Sequence, residues 1–158
     1  MTGHATVTLP ADRQILITRT FNAPAANVFR AWTEPELVRR WWPARRGEMT
    51  ACEIDLRVGG RWRFAMVTPA GMDVAFSGEY REIEPDERLV WTEVYEAMPG
   101  APALSTLTLA EAGGVTSIEL LVEHETQQAR DMHIASGMED GLQDALEDLE
   151  AVAASLEG

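Results

Sequence analysis

The sequence contains no lysine; all thirteen of its basic residues are arginine. Schiff-base catalysis and lysine-dependent phosphate loops are thereby excluded. Cysteine occurs once, at Cys52, which leaves no internal disulfide framework and no cysteine-based zinc site. Histidine occurs only as His4, His124 and His133, with His4 near the start of the chain, so no metal is expected, and no cofactor either. The motifs G-x-S-x-G, H-E-x-x-H, G-x-G-x-x-G and the Walker loop are all missing. No apolar run approaches the roughly 20 residues of a membrane span. The polar opening MTGHATVTLPADRQ is unlike a signal peptide. These absences point to the cytoplasm and away from a membrane.

Acidic residues are plentiful by contrast. Twenty-six acids against thirteen arginines give a net charge of −13, which repels nucleic acid and anionic lipid. The charges are also segregated. Arg39, Arg40, Arg45, Arg46, Arg57, Arg61 and Arg63 crowd one segment, whereas residues 139–158 carry seven acids and no base. Basic segment and acidic helix could attract each other within one chain or across a homodimer, or each could simply face water. The length of 158 residues suits one domain, expected over residues 13–158 behind a loose tail of residues 1–12.

Periodicity supplies the elements. Gln14 to Asn22 reads as a strand, Pro24 to Thr33 as a short helix, and the segment from Pro35 as a second helix ended by Pro43. From Met49 the period becomes two, and strands are expected at residues 49–58, from 61, 72–83, 88–95, 104–110 and 115–124. Gly59-Gly60 reads as a two-residue hairpin. Residues 127–134 suit a short helix. Met138, Leu142, Ala145, Leu146, Leu149, Val152, Ala153 and Leu156 then recur at helical spacing, and Ser136 with Glu139 matches a capping box that would start the long helix. An antiparallel meander must cover one face. The only long apolar helix available is the last, which makes an α+β sheet gripping a C-terminal helix.

Several candidate site residues sit on the strand faces turned towards that helix. Trp62, Phe64, Met66, Phe76, Trp91 and Tyr95 lie on strands, and Met138 and Leu142 lie on the helix opposite. They either fill a core or line a cavity for a small apolar ligand. Glu93 shares a phase with Trp91 and Tyr95. Facing inward it needs a partner, for which Arg130 is a candidate, or a raised pKa suited to acid–base work. In the opposite phase Val90, Thr92 and Val94 pack inward and Glu93 meets water. His124, in phase with Ile118, Leu120 and Val122, is either a cavity-rim residue or a hydrogen-bonded structural histidine. Trp41 and Trp42 with Arg45 and Arg46 have the composition of a protein-partner surface, or else pack an indole under the sheet.

Five segments in order, ILITRTFNAP, AWTEPELVRRWWP, EIDLRVGGRWRF, SGEYREIEPDERLVWTE and RDMHIASGMEDG, resemble the SRPBCC (START / Bet v 1-like) superfamily. The similarity spans about residues 14–156 and is to the branch named after the activator of the heat-shock-protein-90 ATPase. The resemblance implies a helix-grip fold with a cavity between sheet and helix for apolar or amphipathic molecules. It places Trp62, Phe64, Phe76, Trp91, Glu93, Met138 and Leu142 in that cavity. Fold alone does not fix activity. Three functions follow as expectations: a non-enzymatic binder of a small apolar ligand anchored by Glu93 or His124, a chaperone- or regulator-interacting module, and a cyclase or hydrolase using Glu93.

Overall fold

Eight strands, among the residues described by the computed structural model (4–100 and 102–156), form one antiparallel sheet. In chain order the elements are β1 (Thr6–Thr8), β2 (Gln14–Phe21), α1 (Ala25–Thr33), α2 (Pro35–Val38), β3 (Glu48–Ile54), β4 (Arg61–Val67), β5 (Asp73–Glu84) and β6 (Arg88–Tyr95). They continue with β7 (Ala103–Ala112), β8 (Val115–Glu123), α3 (Gln127–Ala135) and α4 (Met138–Ser155). The strand order is β1-β2-β8-β7-β6-β5-β4-β3. This is the helix-grip α+β architecture: a curved sheet, two short helices after β2, and a long C-terminal helix.

Two register shifts interrupt the ladders, between Met49 and Ala51 in β3 and between Tyr80 and Glu82 in β5; such bulges bend strands and add twist. Gly78 contributes a close approach. Trp62 pairs with it across β4–β5 and its indole Nε1 donates to the Thr92 carbonyl at 3.1 Å. A Cβ on residue 78 would lie 1.7 Å from that same oxygen. Only glycine allows the strands and the indole to meet there.

The C-terminal half of α4 is gripped. Leu146, Leu149, Val152 and Ala153 are buried with Val28 and Ala31 of α1 and with Phe21, Leu107 and Ile118 of the sheet. Burial of each large aliphatic side chain contributes about 1.5–3 kcal/mol. Asn27, itself buried, donates to the Ala153 and Leu156 carbonyls at 3.1 and 3.2 Å and so fastens the C-terminal end of α4 to α1. Arg19, its side chain 1% exposed, reaches Glu150 at 3.3 Å, and Glu150 also accepts from the Asn22 amide at 2.8 Å. The amide of Ala25 at the start of α1 donates to Glu111 at 2.7 Å, a carboxylate where the helix N-terminus favours one.

Four expectations need correction. Residues 1–12 are not all loose: β1 pairs with β2, and Ala5 is buried, its N–H and C=O both bonded by the Gln143 side chain at 2.9 Å. Gly59-Gly60 is not a two-residue hairpin. β3 ends at Ile54, and the 55–60 loop docks on β5 through Gly59 N–H to Tyr80 O and Tyr80 N–H to Gly60 O. The capping box does not form. Ser136 donates to His133 O at 2.6 Å and closes α3, Gly137 takes φ +83°, and α4 begins at Met138. The second short helix stops at Val38, and hydrogen-bonded turns carry the chain on to Arg46.

Gly78→Ala is expected to cost about 1–3 kcal/mol, the range of an overpacked interior site. Urea unfolding midpoints measure it. A loss below about 0.5 kcal/mol, as at an unconstrained surface position, would contradict the close approach.

Candidate functional site

The N-terminal half of α4 does not reach the sheet. Between them lies a cavity of about 690 Å³. All ten residues singled out on the sequence line it: Trp62, Phe64, Met66, Phe76, Trp91, Glu93, Tyr95, His124, Met138 and Leu142. The local reason is strand phase. On β4 the residues Trp62, Phe64 and Met66 point one way while Arg63 pairs with Glu96 at 3.0 Å on the other side. On β6 the inward set is Leu89, Trp91, Glu93 and Tyr95, which decides between the two phases open to that strand. On α4 the stripe that is buried at Leu146 and Leu149 continues as the half-buried Met138, Leu142 and Ala145, facing the void.

Rings form a continuous wall. Trp62 meets Phe64 at 4.9 Å between centroids, Phe64 meets Trp42 at 5.5 Å, Trp42 meets Phe76 at 5.9 Å, and Phe76 stacks on Tyr95 at 5.1 Å. Distances and tilts of this kind make aromatic pairs mutually favourable.

The polar groups gather at neighbouring positions. Glu93 pairs with Ala103 across β6–β7, and Leu104 pairs with Glu123 across β7–β8. His124 therefore falls one step along, beside Ala103, so Glu93, Ala103 and His124 occupy one row over three strands. At strand spacing the outer two Cα atoms are about 10 Å apart. Only a methyl group stands between them. Enclosure by protein pushes the Glu93 carboxyl above its usual range, partly offset by a hydrogen bond from Trp91. The expected partnership with Arg130 does not occur: that guanidinium bonds Asp131 at 2.8 Å and the Ala11 carbonyl at 3.1 Å.

His124 is at once a cavity residue and a hydrogen-bonded one. Its Nε2 lies 3.0 Å from Nδ1 of His133, which α3 carries to the same wall. Desolvation, reinforced by His124, lowers the His133 pKa to about 4, and desolvation with the nearby Arg130 charge lowers that of His124. Both rings are thus neutral at neutral pH, one donating and the other accepting. Among the described residues no group of three or more His, Cys, Asp or Glu side chains could hold a metal ion.

The Trp-Arg segment is spent largely inside the chain. Trp41 is buried and donates to the Ala31 carbonyl at 2.7 Å, while Trp42 is half-buried in the ring wall. Arg45 reaches Glu147 at 2.9 Å and also pairs with Asp148 and Asp144; Arg46 reaches Asp144 at 2.6 Å. Basic segment and acidic helix attract each other within one chain. The turn that carries these arginines also closes the cavity, through Trp42, Pro43, Ala44 and Arg46. Sequence reasoning did not place Tyr80, Ala103, Ser105, Ala129, Met132, His133 or Ser136 at the site. The inward phase of β7 signalled Ser105. Nothing local signalled His133, because the orientation of α3 decides it.

A sheet, a gripping helix and an apolar void between them define the class: a helix-grip domain with an internal cavity. Residues 22–154 match the family described as Activator of Hsp90 ATPase homolog 1-like protein, and the chain belongs to that family. A crystal structure of a protein from Rhodobacter sphaeroides is similar with a TM-score of 0.89 at 28% identity, covering 98% of this chain and 100% of that one. One from Nitrosomonas europaea has a TM-score of 0.81 at 26% identity over 92% and 97% of the two chains. The solution structure of an AHSA1-like protein from Aeromonas hydrophila has a TM-score of 0.67 at 25% identity over 90% and 95%. No curated protein matches the chain significantly. No helix among the described residues is long and apolar enough to cross a membrane.

The lowered His133 pKa sets a pH dependence. Unfolded chains take up the proton near pH 6.5, whereas the folded protein resists it until about pH 4. Stability is therefore intact above pH 6.5 and falls as the pH drops towards 4, by roughly 2–3 kcal/mol from this residue. Glu93, with its pKa raised, acts with the opposite sign. Chemical denaturation at a series of pH values should show the slope in wild type and a shallower one in His133→Gln; identical slopes would contradict the assignment.

Proposed function

We propose that this protein is a non-enzymatic binder of a small apolar or amphipathic molecule, held in the cavity between the sheet and the N-terminal half of α4. The observation that carries the reading is the void itself: about 690 Å³, within the roughly 300–1,000 Å³ typical of ligand sites. It is walled by five contiguous rings, and the half-buried Met138, Leu142 and Ala145 of the α4 stripe border it. Well-packed interiors do not leave such space by default. Glu93, His124 and Ser105 supply the few polar groups that orient a ligand in an otherwise apolar pocket.

A chaperone- or regulator-binding role through Trp41, Trp42, Arg45 and Arg46 has less support, since their principal groups are occupied within the chain. An acid–base role for Glu93 has one supporting observation, its enclosure and raised pKa. A turnover screen of bound compounds in wild type and Glu93→Gln separates enzyme from carrier: product formed only by wild type would favour the enzyme.

Ala145 lines the void from α4, so Ala145→Trp would fill it without entering the packed half of the helix. Binding of a ring-containing hydrophobic probe, followed by quenching of the wall tryptophans and by thermal shift, is expected in wild type. In the variant it should weaken by about tenfold or more, equivalent to about 1.4 kcal/mol, with the unliganded melting temperature nearly unchanged. Equal affinity in the two proteins would place the probe elsewhere.

A further inference from the structure

The charged groups around the cavity are unequal in a way that specifies the ligand. Arg46 lines the void but is bonded to Asp144, and both imidazoles are neutral at neutral pH. Glu93 is the one acid among the described lining residues. None of the ion pairs formed among the described residues includes it. The nearby Trp91 side chain favours its charged form, and a carboxylate offers about four acceptor positions. A half-buried carboxylate without a cation is costly; it either takes up a proton or gains from a cation supplied by something else.

The surroundings fit a cation. Trp91 and Tyr95, two residues to either side on the same strand face, flank Glu93, and Phe76 stacks on Tyr95 at 5.1 Å. Ring faces attract an ammonium group while also packing an apolar body. Next to Glu93 in its row is Ala103, whose methyl leaves room for a head group, and beyond it His124 adds a neutral ring nitrogen. A neutral ligand would leave the carboxylate unpaired, and an anionic one would add a second negative charge to a chain already at −13.

We propose that the ligand of this cavity is an amphipathic amine, its protonated nitrogen bonded to Glu93 and its ring-containing apolar body laid along the Trp62–Tyr95 wall. This rests on the cavity-binding function above and names the ligand class for the same site. No bond to the ligand is made or broken; the ammonium donates to the carboxylate and the charges cancel.

Three probes of one shape test it: 1-pyrenemethylamine, 1-pyrenemethanol and 1-pyrenecarboxylate, titrated calorimetrically into the full chain at neutral pH. The amine should bind at least about tenfold more tightly than the alcohol, as a charge-assisted hydrogen bond in an enclosed site provides, and the carboxylate most weakly. In Glu93→Gln the amine and the alcohol should come within about threefold of each other. Preference arising only from overall negative charge would survive that substitution. Alcohol binding as tight as amine binding in wild type overturns the proposal without any variant, as does a full amine preference in Glu93→Gln; cavity binding stands in both cases. Failure of all three probes to bind overturns the cavity reading and the amine proposal together.

Discussion

The structure depends on how α4 is fastened. Its C-terminal half is buried among α1 and the sheet, with Asn27 on its last carbonyls and the Arg19–Glu150 pair at its flank. Its N-terminal half is held by the Gln143 side chain on the Ala5 backbone and by Arg45 and Arg46 on Asp144, with Arg45 reaching on to Glu147 and Asp148 at the start of the buried half. These two attachments differ in kind. Apolar burial is strong and insensitive to salt, whereas exposed ion pairs are weak and screened. A helix clamped by apolar burial at one end and held by polar contacts at the other can bridge a void without collapsing into it.

That arrangement determines what the cavity can contain. Aromatic side chains on β4, β5 and β6 remain parts of the wall because they pack on one another, ring to ring, and need no helix to cover them. The Gly78 contact fixes where the Trp62 indole sits, and the bulge after Tyr80 bends the strand on which Phe76 and Gly78 stand. Polar groups concentrate where the row Glu93–Ala103–His124 crosses the sheet, with Ser105 on β7 and His133 on α3 near it, while Arg46 and Ser136 stand elsewhere on the wall. The void is therefore apolar over most of its wall and most polar on one side, the layout that orients an amphipathic molecule.

Much of this is legible in the sequence. Alternation on β4 puts Trp62, Phe64 and Met66 on one side, alternation on β6 groups Trp91, Glu93 and Tyr95 while leaving open which way that set faces, and the helical stripe groups Met138 and Leu142. Strand phase is a local property, and local patterns record it. The rest was not local. β1 has three residues, too few for a period, and Ala5 beside it is held by Gln143, 138 residues away. Ser136 matched a helix start, but its hydroxyl turned back to α3 because Gly137 adopts a left-handed conformation and breaks the chain's helical run. His133 met His124 through the docking angle of a nine-residue helix. Whether facing side chains touch or leave a void depends on the distance between layers, which no periodicity contains.

The turn between α2 and β3 joins these themes. Trp42, Pro43, Ala44 and Arg46 are wall, while Arg45 and Arg46 are tether. Ala44 and Arg45 hold positive φ angles of 53° and 63°, a conformation that side-chain-bearing residues avoid unless their surroundings impose it. Here the surroundings are the Trp41 indole fixed under α1 on one side and the acids of α4 on the other. The same few residues thus close the cavity and hold the free end of the helix. Their ion pairs reach Asp144 beside the void and also Glu147 and Asp148 beside the buried Leu146 and Leu149, so the turn couples the cavity wall to the packed half of the helix.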